Sequence, residues 1–265
     1  EENLLTDQDN GIIYQDPERN NAADVKEYFL TLGRRVTHGL DQAGYPFCRG
    51  GLMADNPQWC APLSEWRRHA SRWISGAEPI DLVRFDMFFD FRCVYGATEL
   101  VSDLRQFVLD EVAVRPEFLM HFARNAVSYR LPLGFFGTIR VRSAGAHANT
   151  IDMKEAMLPI IKFARTYALR EQLHETNTIA RLDKLTVLGI LTESSRREAV
   201  TAYELLMGLR LKHQTTALVQ GERPGNAIDP KLLTHIEEAA LKESLSHVAA
   251  MQKRIGYDFL GVSEL

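Results

Sequence analysis

The chain has 265 residues, of which 45% are hydrophobic and 25% are charged, proportions that are ordinary for a globular protein with room for two domains. Its formal net charge of −4 argues against bulk nucleic-acid binding, which needs a concentrated basic face. No apolar run is long enough to span a bilayer and no signal peptide is visible, so we expect no membrane partner. The 3 cysteines form no Cys-x-x-Cys pair, which indicates neither a disulfide framework nor a zinc site and favours a cytoplasmic location.

The first feature along the chain is a pair of acidic residues, Asp7 and Asp9, in the sequence TDQDNGIIY of residues 6–14. If this segment is a strand, the two side chains project from the same face, roughly 6–7 Å apart. Two carboxylates on one face repel each other unless a divalent cation lies between them. The segment is also rich in turn formers, and taken alone it is more typical of a solvated loop. A calcium-binding loop is disfavoured, because Ile12 stands where counting from Asp7 requires a glycine.

Two helices and a long irregular stretch are predicted next. Apolar residues recur at helical spacing over residues 21–43 and the pattern stops at a glycine, which predicts a helix. Residues 45–59 contain two prolines and two glycines and read as a loop, and long loops in compact domains are often functional. A short helix is predicted over residues 64–74. It carries Arg67, which either contacts a phosphate or is an ordinary surface arginine.

The segment from residue 84 to residue 95 alternates with a period of two. Its odd positions, from Phe85 to Tyr95, are all apolar or aromatic. The even positions are largely charged: Arg84, Asp86, Phe88, Asp90 and Arg92. Such alternation predicts a strand with one face on a core and one open face, and the open face is either a solvated surface with weak ion pairs or part of a site. A third carboxylate from this strand, beside Asp7 and Asp9, would complete an oxygen-rich site for two Mg²⁺ ions, as used in nucleotidyl transfer.

The second half of the chain is predicted to be helical. A helix begins at Thr98 and reaches about residue 112, and a domain joint follows at residues 113–116, where Pro116 suits the first turn of a new helix. Residues 138–145 are typical of a small hairpin. Four amphipathic helices are then predicted over residues 154–173, 178–188, 193–220 and 232–257. Short breaks join these helices, which indicates an antiparallel bundle.

Motifs in both halves resemble those of one bacterial nucleotidyltransferase family. In the first half they are TDQDN at residues 6–10, CRGGLMA at 48–54, LSEWR at 63–67 and FFDFR at 88–92. In the second half they are LPLGFF at 131–136, IDMK at 151–154, TNT at 176–178 with Arg181, and LRLKHQ at 209–214. The family occurs in signalling proteins beside CBS and cyclic-nucleotide-binding domains. Its catalytic core is related to that of the uridylyltransferases that modify the nitrogen-regulatory PII protein.

The resemblance implies a fold in two domains. Residues 1–112 would form an α/β nucleotidyltransferase domain of the polymerase-β-like superfamily, a mixed sheet with helices. Residues 113–265 would form an all-α substrate-binding bundle. Members of the superfamily carry a Gly-Ser motif, just before the Asp-x-Asp strand, that holds the triphosphate. Because this motif would fall before Glu1, we expect the first domain to lack its first strand here, and we expect CBS or cyclic-nucleotide-binding domains upstream in the full-length protein.

The resemblance also implies a site and a reaction, the transfer of a nucleoside monophosphate from UTP or ATP to an acceptor such as a signalling protein. Mg²⁺ or Mn²⁺ would be bound by three catalytic carboxylates, those of Asp7, Asp9 and Asp90. Arg92 would stabilise charge developing on phosphate. Further substrate-binding residues would be Arg67, Lys154, Asn177, Arg210 and His213. For those in the bundle, helix capping and interhelical salt bridges are the ordinary alternatives.

Two other kinds of function remain open from the sequence. One is a catalytically inactive regulatory module that binds a nucleotide, which the missing triphosphate motif favours. The other is a helical interaction domain whose acidic first half dimerises, and it would bind neither nucleotide nor Mg²⁺.

Overall fold

The computed structural model describes residue 4 and residues 6–76, 78–134, 138–141 and 148–262. The chain divides into two compact units, residues 1–111 and residues 112–265. Within the described residues no helix is both long and apolar enough to cross a membrane.

The first unit combines a short parallel strand pair with helices. Its elements are β1 (Ile12–Tyr14), α1 (Ala22–Gln42), β2 (Cys60–Pro62), α2 (Leu63–Gly76), α3 (Pro79–Phe88) and most of α4 (Thr98–Ala113). Strands β1 and β2 are parallel, with Ile12 opposite Cys60 and Tyr14 opposite Pro62. Gln8 and Phe47 form an isolated parallel bridge. Over the described part of this unit the sheet has two strands, so the larger mixed sheet of the polymerase-β kind is not confirmed.

The core of the first unit is aromatic. On α2, buried residues recur at intervals of four, three and one, from Trp66 through Ala70 and Trp73 to Ile74, which is one face of a helix. The ring of Trp66 stacks on that of Phe88, with 5.5 Å between centroids. Helix α3 therefore packs on α2 through its last turn.

The predicted strand at residues 84–95 is wrong. Pro79 occupies the first turn of α3, which continues to Phe88. Both Phe85 and Phe89 are fully buried, whereas Met87, between them, is 48% exposed. Residues four positions apart lie on the same face both in a strand and in a helix, so the two buried phenylalanines fit either structure. Met87 decides between the two structures, because in a strand it would share the buried face of the phenylalanines. Asp86 consequently lies on a helix, and the residues after Phe88 form a turn and an irregular segment.

The predicted helices and the long irregular stretch of the first unit are confirmed, whereas Asp7 and Asp9 do not lie on a strand, because β1 begins only at Ile12. Helix α1 spans Ala22–Gln42 and helix α2 spans Leu63–Gly76. The stretch between α1 and β2 is irregular. The buried positions of α1 are Gly33 and Thr37. Hence the part of α1 that packs most closely against the rest of the first unit is made of small residues.

The second unit is helical, as predicted. Its elements are α5 (Pro116–Val127), β3 (Ile151–Asp152), α6 (Met153–Arg170), α7 (Thr178–Val187), α8 (Glu193–Val219), β4 (Ala227–Ile228) and α9 (His235–Leu260). Helix α6 is central, because it contacts α5, α7, α8 and α9. Strands β3 and β4 form a two-residue antiparallel pair. A 3₁₀ turn, Pro230–Leu232, precedes α9, which therefore begins three residues later than predicted.

The predicted hairpin at residues 138–145 is described only in part. Leu133 and Ile139 form an isolated antiparallel bridge. The Arg140 N–H donates to the Pro132 carbonyl at 2.9 Å. Residues 142–145 lie outside the described residues, as do residues 135 and 136 of the LPLGFF motif.

Candidate active site

The acidic segment is fixed by a buried glutamine between its two aspartates. Gln8 is 5% exposed, whereas Asp7 and Asp9 on either side of it are exposed. The Gln8 Nε2 donates to the carbonyl oxygens of Thr37 at 3.0 Å and Tyr45 at 3.1 Å. Its backbone N–H donates to the carbonyl of residue 46 at 3.1 Å. Gln8 thus binds this segment to the end of α1 and to the loop that follows.

Asn10 provides the second anchor. Its Oδ1 accepts from the Ala54 N–H at 2.9 Å, and its backbone N–H donates to the Leu52 carbonyl at 2.9 Å. Its Nδ2 donates to the Gln8 Oε1 at 3.2 Å. Because Gln8 and Asn10 are both held by the long loop, the backbone that carries Asp9 is held from both sides.

The segment continues into β1 through a close approach to α2. A Cβ on Gly11 would lie 2.9 Å from the Trp59 carbonyl oxygen and 3.3 Å from the Trp66 ring. The Trp66 Nε1 donates to the Ile12 carbonyl at 3.0 Å. This arrangement places the start of α2, and with it the neighbouring Arg67, in the same unit as the acidic segment.

Arg67 is half-buried on α2. Its guanidinium carbon lies 5.4 Å from the centre of the Phe107 ring. Its Nε is buried and has no hydrogen-bond partner among the described residues. Because this Nε is buried, it is not open to an incoming ligand, and the phosphate-binding role of Arg67 stays a prediction.

A cysteine thiol lies against the second aspartate. Burial raises the pKa of Cys48, and a hydrogen bond to the Asp9 side chain raises it further, while the backbone N–H groups of Leu52 and Gly50 lower it. The thiol is therefore protonated at neutral pH and acts as a donor to the Asp9 carboxylate, so Cys48 helps to orient Asp9.

Asp90 lies in the turn that follows α3 and is half-buried. The residue that holds this turn was not found by the sequence reasoning. Arg105, on α4, is 5% exposed, and its guanidinium donates to the carbonyl oxygens of Phe89, at 3.1 Å, and Phe91. The sequence did contain a signal for this role. Arg105 is an arginine on the apolar, buried face of a helix, among Leu104, Val108, Leu109 and Val112.

Arg92 is exposed in the irregular segment after Asp90. Its predicted place on a strand face shared with Asp90 is wrong, because α3 and a turn replace that strand. The two residues are still only two positions apart, and a role for Arg92 toward phosphate stays a prediction.

Carboxylate oxygens are the donors that Mg²⁺ prefers. Within the described residues no three His, Cys, Asp or Glu side chains gather closely enough to hold a metal ion by themselves. Mg²⁺ usually takes only one or two carboxylates and completes its shell with waters and substrate phosphates. The exposed pair Asp7 and Asp9 fits that donor set, and the convergence of Asp90 with them stays a prediction.

The residues predicted for substrate binding in the second unit have different surroundings. Lys154 is exposed in the first turn of α6, and His213 is half-buried on α8. Asn177 caps α7, since its Oδ1 accepts from the Ala180 N–H at 3.1 Å. Arg210 is 5% exposed and its Nε donates to the Asn226 Oδ1 at 2.8 Å. Asn177 and Arg210 thus have structural contacts of their own, whereas Lys154 and His213 present more of their surface to solvent.

Comparison with known proteins gives the same family for both parts of the chain. The profile described as "Putative nucleotidyltransferase substrate binding domain" matches residues 116–259. The profile described as "Putative nucleotidyltransferase DUF294" matches residues 1–80. A search of curated proteins found no match.

Proposed function

This chain belongs to the family described as putative nucleotidyltransferases, and from that premise we propose that it transfers a nucleoside monophosphate from an NTP to an acceptor in a divalent-metal-dependent reaction. The observation that carries the proposal is the presentation of Asp7 and Asp9. Buried Gln8 fixes the backbone between them, and both carboxylates remain exposed. A carboxylate pair held in this way is ready to bind a metal–triphosphate complex without rearrangement.

In the proposed reaction an acceptor oxygen attacks the α-phosphorus of the NTP. The new O–P bond forms as the bond from that phosphorus to the bridging oxygen breaks, and pyrophosphate leaves. Mg²⁺ or Mn²⁺, held by Asp7 and Asp9, would supply charge neutralisation on the phosphates and would lower the pKa of the acceptor hydroxyl. Asp7 and Asp9 bind and orient the triphosphate complex, and Asp90 takes the acceptor proton.

Arginine side chains of the first unit would bind phosphate oxygens. Arg67 is half-buried on α2, and Arg92 is exposed two residues after Asp90. Their charge would stabilise the negative charge that develops as pyrophosphate leaves. UTP is the nucleotide that the family resemblance favours and ATP is the alternative.

The second unit would bind the acceptor. Of its predicted contacts, Lys154 and His213 suit a direct role, because Asn177 and Arg210 already serve as a helix cap and as a partner of Asn226. A signalling protein is the acceptor that the resemblance suggests. Lys154→Ala should then raise the KM for the acceptor and leave the KM for the NTP unchanged.

The test is pyrophosphate release by the full chain with each NTP, with Mg²⁺ or Mn²⁺, and with a cell extract that supplies acceptor proteins, corrected for release by the extract alone. Asp7→Asn, Asp9→Asn and Asp90→Asn should each lower the rate by about a hundred-fold or more, since each removes several kcal/mol of transition-state stabilisation. Asp86→Asn, on α3, is the matched control and should cost little. Thermal stabilisation by NTP and metal without pyrophosphate release would instead identify a regulatory nucleotide-binding module. Absence of both effects would favour an interaction domain.

A further inference from the structure

We infer that Arg105 is a positioning residue for the proposed transfer, because it fixes the turn that carries Asp90. The inference rests on the proposed function for its catalytic consequence. The geometric part rests only on contacts within the first unit.

Arg105 donates hydrogen bonds to the backbone on both sides of Asp90. Its Nη1 donates to the Phe89 carbonyl at 3.1 Å, and its Nη2 donates to the Phe91 carbonyl. These two carbonyls belong to the residues immediately before and after Asp90. A planar guanidinium with two parallel donors can hold two acceptors at once, whereas a lysine ammonium is a single point charge on a flexible stem.

Aromatic rings add further contacts between Arg105, the turn and α3. The Arg105 guanidinium carbon lies 4.2 Å from the centre of the Phe91 ring, within the range of a cation–π interaction. The Phe91 ring stacks on that of Phe88 at 4.5 Å, and the Phe89 ring stacks on that of Phe85 at 5.5 Å. The turn is thus packed on α3 and hydrogen-bonded to α4.

Burial makes the arrangement specific. Arg105 is 5% exposed, and a buried guanidinium requires partners that satisfy its donors. The two carbonyls at the turn provide them, so the turn and α4 are coupled. Since a general base that is misplaced by about 1 Å can lose about a hundred-fold in rate, this coupling matters for a carboxylate that must meet an acceptor hydroxyl.

The test compares Arg105→Lys with Arg68→Lys, an exposed arginine on α2, in the full chain. We expect Arg105→Lys to lower kcat by about a hundred-fold while the KM for the NTP changes by less than about threefold. Hydrogen exchange gives a readout that is independent of activity. The Phe91 N–H donates to the Phe88 carbonyl at 2.9 Å, and its exchange should accelerate by about tenfold or more in Arg105→Lys but not in Arg68→Lys.

A double-mutant cycle separates positioning from a general loss of stability. If Arg105 acts through Asp90, adding Arg105→Lys to Asp90→Asn should cause no further loss of kcat. An equal loss in both backgrounds, or a kcat in Arg105→Lys equal to that of the wild type, would overturn the inference while the proposed function stands. A wild-type chain that releases no pyrophosphate with any NTP when the acceptor extract is present would overturn the proposed function, and the catalytic role of Arg105 with it, whatever the exchange data show.

Discussion

Gly33 of α1 lies directly against the backbone of Ala54 in the long loop. A Cβ built on Gly33 would lie 2.2 Å from the Ala54 carbonyl oxygen and 2.6 Å from its carbonyl carbon. The N–H of the same Ala54 donates to Asn10. The contact therefore connects α1, through one loop residue, to the segment that carries Asp7 and Asp9.

Gly33→Ala should destabilise the chain, although alanine favours helices. The added methyl group meets backbone atoms that cannot rotate away, so overpacking should cost about 1–3 kcal/mol. Gly39→Ala is the control in the same helix. Nothing lies within 4 Å of its Cβ position, and it should gain about 0.5–1 kcal/mol. Urea unfolding of both variants measures the difference, and a gain in stability for both would contradict the contact.

Gln8→Glu should destabilise the acidic segment at neutral pH. The change replaces an amide donor by a carboxylate oxygen that faces the Thr37 and Tyr45 carbonyls, so two hydrogen bonds are lost and repulsion is added. We expect a cost on the order of 3 kcal/mol. The loss should shrink at about pH 4, where a protonated glutamic acid regains a donor.

Gln58→Glu introduces the same charge at an exposed position of the long loop and serves as the control. Its free energy of unfolding should stay within about 0.5 kcal/mol of the wild type. Equal losses in Gln8→Glu and Gln58→Glu would show that net charge, rather than the buried hydrogen bonds, causes the effect.

The helices of both units could be predicted from the sequence because their apolar residues recur at intervals of three and four over long stretches. The segment around Phe85 could not, because its odd positions are all apolar and every i, i+4 pair also satisfies a period of two. Pro79 was the local indication of a helix, because proline favours the first turn of a helix, and it should have been weighed above the alternation. In the structure Met87 is exposed, which fits the helical period and not the period of two.

Asp7 and Asp9 could be named as candidate site residues because several motifs along the chain resemble those of a nucleotidyltransferase family, whereas the types and spacing of their side chains alone fit a solvated loop better. The residues that hold the site could not, because their role depends on contacts between distant parts of the chain. Gln8 bonds to residues 29 and 37 positions away. Nor does spacing along the chain reveal that Gly33 touches Ala54.

Arg210→Ala should reduce the stability of the second unit. Arg210 is buried and donates to the Asn226 Oδ1, which also accepts from the Gln214 Nε2 at 3.0 Å. Loss of a charged hydrogen bond should cost about 1.5–3 kcal/mol. Arg197→Ala, at an exposed position of the same helix, is the control and should change little. Thermal unfolding measures both, and an unaltered melting temperature with a raised KM for the acceptor would assign Arg210 to substrate binding instead.

The start of α9 should respond to acid through Glu237. A hydrogen bond from the Lys212 Nζ, 2.7 Å away, together with bonds from the Thr234 N–H and hydroxyl, lowers the pKa of Glu237 to about 2. Because the pKa is lower in the folded state than in the unfolded state, this carboxylate stabilises the fold above its ordinary pKa. The stabilisation is lost as the pH falls toward about 2.

Glu237→Gln should therefore flatten the dependence of the unfolding free energy on pH between about pH 5 and about pH 2. At neutral pH the variant should be the less stable protein, and the two curves should converge in acid. Glu243→Gln, an exposed position on the same helix, removes the same charge without those partners and should leave the slope of the wild type unchanged. Denaturant unfolding at a series of pH values measures the slopes. Parallel curves for the wild type and Glu237→Gln would show that the bonds to Lys212 and Thr234 do not couple the protonation of Glu237 to folding.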